Sequence, residues 1–123
     1  MDNASDNLVT MSVDTKKYGI RIHKSLFRQL GEPKYIQLLV NPEERIVAIK
    51  TVEKDLSGGQ THHIVERRMQ SDHSYEIYSR AFIKKLREVE PTIEEGTAYR
   101  LNGNTIPSLK IAVFSLKTLH RLE

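Results

Sequence analysis

The apolar residues of this chain change spacing twice, in the same order each time, and that recurrence limits what it can fold into. Tyr18-Gly19-Ile20-Arg21-Ile22-His23 alternates strictly, with Tyr18, Ile20 and Ile22 on one face and Gly19, Arg21 and His23 on the other. A period of two marks a half-buried strand. From Lys24 to Leu30 the period lengthens, and Leu26, Phe27 and Leu30 form one stripe on a short helix. Ser25 is placed to cap that helix, Gly31 to take the left-handed position after it, and Pro33 to stop it restarting. Laid over the second half, the first half puts Ile22 on Ile77 and Phe27 on Phe82, and the helical stripe fits better still with a slip of one position near Ser79.

The flanking segments repeat too. Leu8 to Val13 reads as a strand, and Asp14-Thr15-Lys16-Lys17 as the turn after it. Tyr35 to Val40 and Arg45 to Val52 read as a hairpin around Asn41-Pro42-Glu43-Glu44, with Pro presetting φ at the turn's second position. In the second half, His62 to Arg68 and Tyr75 to Tyr78 read as strands. Arg80 to Val89 reads as a helix capped by Ser79 and ended by Pro91, with Phe82, Ile83 and Leu86 on its buried stripe. Thr97 to Leu101 and Lys110 to Leu116 complete the set, with Asn102-Gly103 as the hairpin signal between them and Pro107 marking an edge or a bulge. The order is β-β-α-β-β, twice. The expected organisation is a flexible tail over 1–7, a first repeat over 8–54, a linker over 55–61, a second repeat over 62–116 and a C-terminal tail over 117–123. One unit of this size buries its apolar face poorly alone, so the repeats should share one core. The expected class is α+β, mostly β. Leu38, Leu39, Val113 and Phe114 are expected in that core.

Composition narrows the chemistry. The 123 residues include no cysteine, which removes disulfides, zinc–thiolate sites, iron–sulfur clusters and thiol catalysis. No apolar run is long enough to span a bilayer. The start of the chain carries Asp2 and Asp6 and no basic group, unlike a secretory signal, so a cytoplasmic location without membrane association is expected. Nineteen Lys and Arg against sixteen Asp and Glu leave a charge of +3. The sign is unevenly spread: Lys16, Lys17, Arg21, Lys24 and Arg28 form a basic block, whereas Glu43-Glu44, Glu88, Glu90 and Glu94-Glu95 form acidic ones.

Gly19-Ile20-Arg21-Ile22-His23-Lys24-Ser25-Leu26-Phe27-Arg28-Gln29-Leu30-Gly31, followed by a hairpin ending in Ile46-Val47-Ala48-Ile49-Lys50, resembles the AbrB-type swapped-hairpin domain of bacterial transition-state regulators and antitoxins. The resemblance covers residues 8–54 and, more loosely, 62–116. It implies a small barrel built from two such repeats, swapped-hairpin or double-psi-like. It also implies a non-catalytic DNA-binding regulator or antitoxin-like module, with pairing into a homodimer open to it. The chain departs from the family by carrying Tyr18-Gly19 where Gly-Arg is usual, and His23 and Tyr78 where proline usually turns the strand into the helix. The basic residues that could then meet DNA phosphates are Lys16, Lys17, Arg21, Lys24 and Arg28, with Arg67, Arg68, Arg80, Lys84 and Lys85 in the second half. Arg21, Arg28, Arg67 and Arg68 suit reading of base edges. The rival reading is a protein- or peptide-binding barrel without nucleic-acid activity.

Other chemistries find little support. His62, His63 and His73 are close in sequence, but neighbours on a strand point to opposite faces, so no metal site is expected. No P-loop, nucleophile elbow or HExxH motif is present, and no enzyme activity, cofactor or small-molecule substrate is expected. Tyr18, Tyr35, Tyr75, Tyr78 and Tyr99 are assigned to packing rather than to stacking on bases.

Overall fold

The computed structural model describes residues 7–53, 61–64 and 74–122. The strands are β1 (Leu8–Asp14), β2 (Gly19–His23), β3 (Tyr35–Asn41), β4 (Ile46–Val52), β5 (Thr61–His63), β6 (Ser74–Tyr78), β7 (Ala98–Ile106), β8 (Ile111–Ser115) and β9 (His120–Leu122). Two helices interrupt them, α1 (Lys24–Gln29) and α2 (Arg80–Val89). One antiparallel sheet runs β5-β3-β4-β8-β7-β1-β2-β6, and β9 pairs with the start of β7. The sheet curls into a nearly closed, mostly β barrel, and its two ends approach where the Tyr75 hydroxyl donates to the His63 carbonyl at 3.4 Å.

Alternation sets the interior. Val9, Met11 and Val13 of β1, Ile20 and Ile22 of β2, Ile36 and Leu38 of β3, Val47 and Ile49 of β4, and Ala112 and Phe114 of β8 all point inward and are buried. The helices add Leu26, Phe27, Phe82, Ile83 and Leu86 to the same core, and Phe27 meets Tyr75 edge-on with ring centroids 5.7 Å apart. Neither half closes a core alone. β2 pairs with β6 about Arg21 and Glu76, and β4 pairs with β8 about Ala48 and Val113. Each cross-pairing is symmetric about its centre, as an internal twofold requires. The second pair of centres stands further apart in sequence than the first, because α2 has ten residues against six in α1 and a longer connection follows it.

Local sequence chemistry accounts for the ends of these elements. Asp14 Oδ1 accepts from the amides of Lys16 and Lys17, and Asn41 Oδ1 accepts from those of Glu43 and Glu44, so both tight turns are held by their first residue. Ser79 Oγ caps α2 by accepting from the Phe82 amide at 3.1 Å. α1 is capped by His23, whose Nδ1 accepts from the Ser25 amide at 3.1 Å, so the cap precedes the expected Ser25. Gly31 follows α1 at φ +85°.

Several expectations need correction. Asn102-Gly103 is no turn: both residues lie within β7, and the hairpin reverses through a 3₁₀ turn at Pro107–Leu109, with Lys110 at φ +56°. The glycine serves close approach instead. A Cβ on Gly103 would lie 2.2 Å from the Val113 carbonyl oxygen and 2.7 Å from the Phe114 ring. Pro107 opens that turn rather than marking an edge or a bulge. Leu39 faces outward, because its neighbour Leu38 takes the inward place on the same strand. The C-terminal tail, whose form the sequence leaves open, begins in a 3₁₀ turn at Leu116–Thr118 and carries β9. In the second half β5 ends at His63 and the buried Ile64 follows it outside the strand, while residues 65–68 of the expected strand, 70–73 of the expected turn and 55–60 of the expected linker lie outside the described residues.

Gly103→Ala should therefore cost about 2 kcal/mol, the range for overpacking a filled core. Chemical denaturation would measure it. Asn102→Ala, at an exposed outward position of β7, should change stability by less than about 0.5 kcal/mol.

Candidate nucleic-acid interface

The β2–β6 ribbon carries the candidate residues across the internal twofold. Its outward row pairs His23 with Ser74, Arg21 with Glu76, and Gly19 with Tyr78. A strand of this length spans roughly 16 Å. Each helix starts where one strand of the ribbon ends, with Lys24 after His23 and Arg80 after Ser79. Lys24 and Arg28 are one turn apart on α1, and Arg80 and Lys84 hold the equivalent places on α2. The fold thus places two equivalent basic pairs at opposite ends of one ribbon.

The turn between β1 and β2 joins the second of these pairs. Tyr18 takes a left-handed conformation, φ +59°, and its carbonyl accepts from the Ser79 amide at 2.9 Å. The Arg80 guanidinium lies over the Tyr18 ring, 4.3 Å from its centroid. This cation–π contact pins the turn to the start of α2. The same turn carries the exposed Lys16 and Lys17, and it is joined through Tyr18 to the start of α2, which carries Arg80 and, one turn on, Lys84.

Arg21 is differently placed. Its guanidinium faces Glu76 at 3.7 Å, and the Tyr78 hydroxyl donates to the other carboxylate oxygen at 3.0 Å. That hydrogen bond, and then the carboxylate's charge, raise the Tyr78 phenol above its ordinary value. Gly19 leaves room for this carboxylate, since a Cβ there would lie 3.2 Å from Glu76 Oε2. Part of the Arg21 charge is thus already answered. Lys85 lies on the opposite flank of α2 from Lys84, beside Leu38 and His62, and is not part of the cluster. Arg67 and Arg68 lie outside the described residues.

Three groups at this site escaped the reading of the sequence: Glu76, the Tyr18–Arg80 contact, and Arg87, which faces Glu95 at 4.0 Å. A signal for Glu76 was present, because the alignment that overlays Ile22 on Ile77 also overlays Arg21 on Glu76, and residues at the centre of a twofold strand pair face each other. The tyrosines divide. Tyr75 and Tyr99 are buried, Tyr35 stacks on His63 at 4.8 Å, Tyr18 lies under Arg80, and Tyr78 is 61% exposed. His62 and His63 point to opposite faces of β5, and among the described residues no three His, Asp or Glu gather as a metal-binding group. No helix among the described residues is long and apolar enough to cross a membrane. No family model matches the chain, nor does any curated protein or solved structure.

Glu76 sets how much positive field this face presents. Glu76→Gln keeps the shape and removes the charge, so it should leave the thermal midpoint within about 2 °C, as expected for an exposed pair. It should also raise retention on a heparin column, and unchanged retention would show that Arg21 does not contribute to the face.

Proposed function

We propose that this protein binds double-stranded DNA across the β2–β6 ribbon as a non-catalytic regulator or antitoxin-like module of AbrB type. The observation that carries the reading is the Tyr18–Arg80 contact, which joins the turn bearing Lys16 and Lys17 to the start of α2, where Arg80 and Lys84 lie one turn apart. The twofold arrangement adds to it. Lys24 with Arg28, and Arg80 with Lys84, repeat across a local dyad, and duplex DNA offers its two backbones with the same symmetry. Under this reading the lysines neutralise phosphates and fix register, while Arg21 and Arg28, with Arg67 and Arg68, supply base-edge contacts. Binding at Arg21 then competes with Glu76 for the guanidinium.

A second reading rests on the opposite face. The outward residues Ile46 and Ala48 of β4 and Ile111 and Val113 of β8, with the exposed Leu39 and Ile106 beside them, make an apolar sheet surface in which Lys50 is the charge. That face would suit a second copy of this chain, as a homodimer or in place of nucleic-acid binding.

Fluorescence anisotropy against a pool of labelled duplexes, repeated across a salt series, tests the first reading. Affinity should fall with salt at about 0.9 log units per phosphate neutralised per log unit of salt. Replacing Lys16, Lys17 and Lys84 together by Ala should lower that slope by about 3, whereas Lys85→Ala should leave it unchanged. No binding at low salt, together with a dimer in sedimentation, would replace this reading with the second.

A further inference from the structure

The barrel has two ends, each covered by one helix, and the internal symmetry allows them to be compared residue by residue. Under α1 the end closes on itself: the Thr105 hydroxyl on β7 donates to Gln29 Oε1. Lys85 follows Lys84 on α2 as Gln29 follows Arg28 on α1, so it holds the place of Gln29. On the strands, Leu38 faces Ile49 as Gly103 faces Phe114, so Val40 holds the place of Thr105. That hydrogen bond therefore has no counterpart under α2. The β1 and β5 strands differ in the same sense. Met11 faces Leu101, and His62 faces Ile36. Ile36 precedes Leu38 as Leu101 precedes Gly103, so His62 occupies the place of the buried Met11.

The end under α2 is thus left with polar groups and without their partners. The His62 Nε2 atom is buried and has no hydrogen-bond partner among the described residues. Burial holds the ring below its ordinary value of 6.5 and so favours the neutral form, which donates or accepts at Nε2 according to its tautomer. Lys85 makes no ion pair among the described residues. Both line one cavity of about 350 Å³, whose walls include Leu38, Val40 and Phe82 and which no acidic side chain among the described residues lines. A buried polar nitrogen without a partner costs stability and calls for an explanation. A concave space that combines apolar walls with a small number of polar groups is the usual form of a small-ligand site, and here Leu38, Val40 and Phe82 supply the walls while His62 and Lys85 supply the polar groups.

We propose that this cavity binds a small organic monocarboxylate, with its apolar body against Leu38, Val40 and Phe82 and its carboxylate held by Lys85 and His62. The ammonium supplies the charge, and the imidazole, with its proton on Nε2, donates the second hydrogen bond. The site lies off the β2–β6 ribbon and does not depend on DNA binding.

The test is titration of the isotopically labelled full chain with sodium benzoate, and separately with benzamide, at fixed ionic strength by two-dimensional NMR. Benzoate should give saturable shifts at Leu38, Val40, Ala81 and Phe82, and benzamide should bind about tenfold more weakly or not at all. His62→Met with Lys85→Gln installs the residues of the other end. It should reduce benzoate affinity by about tenfold or more while far-UV circular dichroism keeps the parent spectrum. Should that double variant fail to fold, Lys85→Gln alone, at an exposed position, should show the same direction of loss. Absence of saturable shifts at these four residues, equal binding of benzamide, or undiminished benzoate binding by the folded variant would overturn the proposal.

Discussion

The antiparallel pairing of β2 with β6, and of β4 with β8, is the constraint on which everything else in this molecule rests. Each ββαββ unit offers strands with one apolar face and a helix with one apolar stripe, and neither closes a core by itself. The cross-pairings join the units so that Ile20 meets Ile77 and Val47 meets Phe114 across the seam. Burial of those side chains is the main stabilising term, because apolar area removed from water contributes roughly 25 cal/mol per Å². Breaking either seam would expose both halves at once, so the chain should unfold as one unit despite its repeated plan.

The same pairings position the surface chemistry. A twofold strand pair puts equivalent residues at opposite ends of a ribbon and self-equivalent positions face to face at its centre. Lys24 and Arg80 are separated in this way, and Arg21 and Glu76 are brought together. The two units differ at the centre, where an arginine answers a carboxylate, and at the barrel ends, where Gln29 and Met11 correspond to Lys85 and His62. Differences at equivalent positions distinguish the two ends of a frame that is otherwise symmetric. The surface that results has basic groups at the two ends of one ribbon and an apolar β4–β8 face on the other side.

Much of this was legible in the sequence because strict alternation and helical stripes survive in both halves. Ile20 and Ile22 announced an inward strand, and Leu26, Phe27 and Leu30 announced a helix that packs down on it. The slip in the alignment at the helix corresponds to the extra residue at Ser79. What misled was punctuation. Asn102-Gly103 has the letters of a tight turn, but Gly103 is needed where β7 passes close to Val113 and Phe114, and a sequence does not distinguish a glycine that bends from one that makes room. The site was half legible. The basic residues could be counted, but the masking of Arg21 by Glu76, the seating of Arg80 on Tyr18, and the separation of Lys85 from Lys84 depend on pairing register and helix rotation, which act across long sequence distance.

The proposed gathering of basic groups from both halves into one nucleic-acid-binding face is open to direct test by mapping backbone amide shifts as a short duplex is titrated into the labelled protein at low salt. The 15–18 turn and the first turns of both α1 and α2 should be perturbed, with the β4–β8 face unchanged. Shifts confined to one repeat, shifts centred on Ile46, Ala48, Ile111 and Val113, or no shifts at all would contradict it.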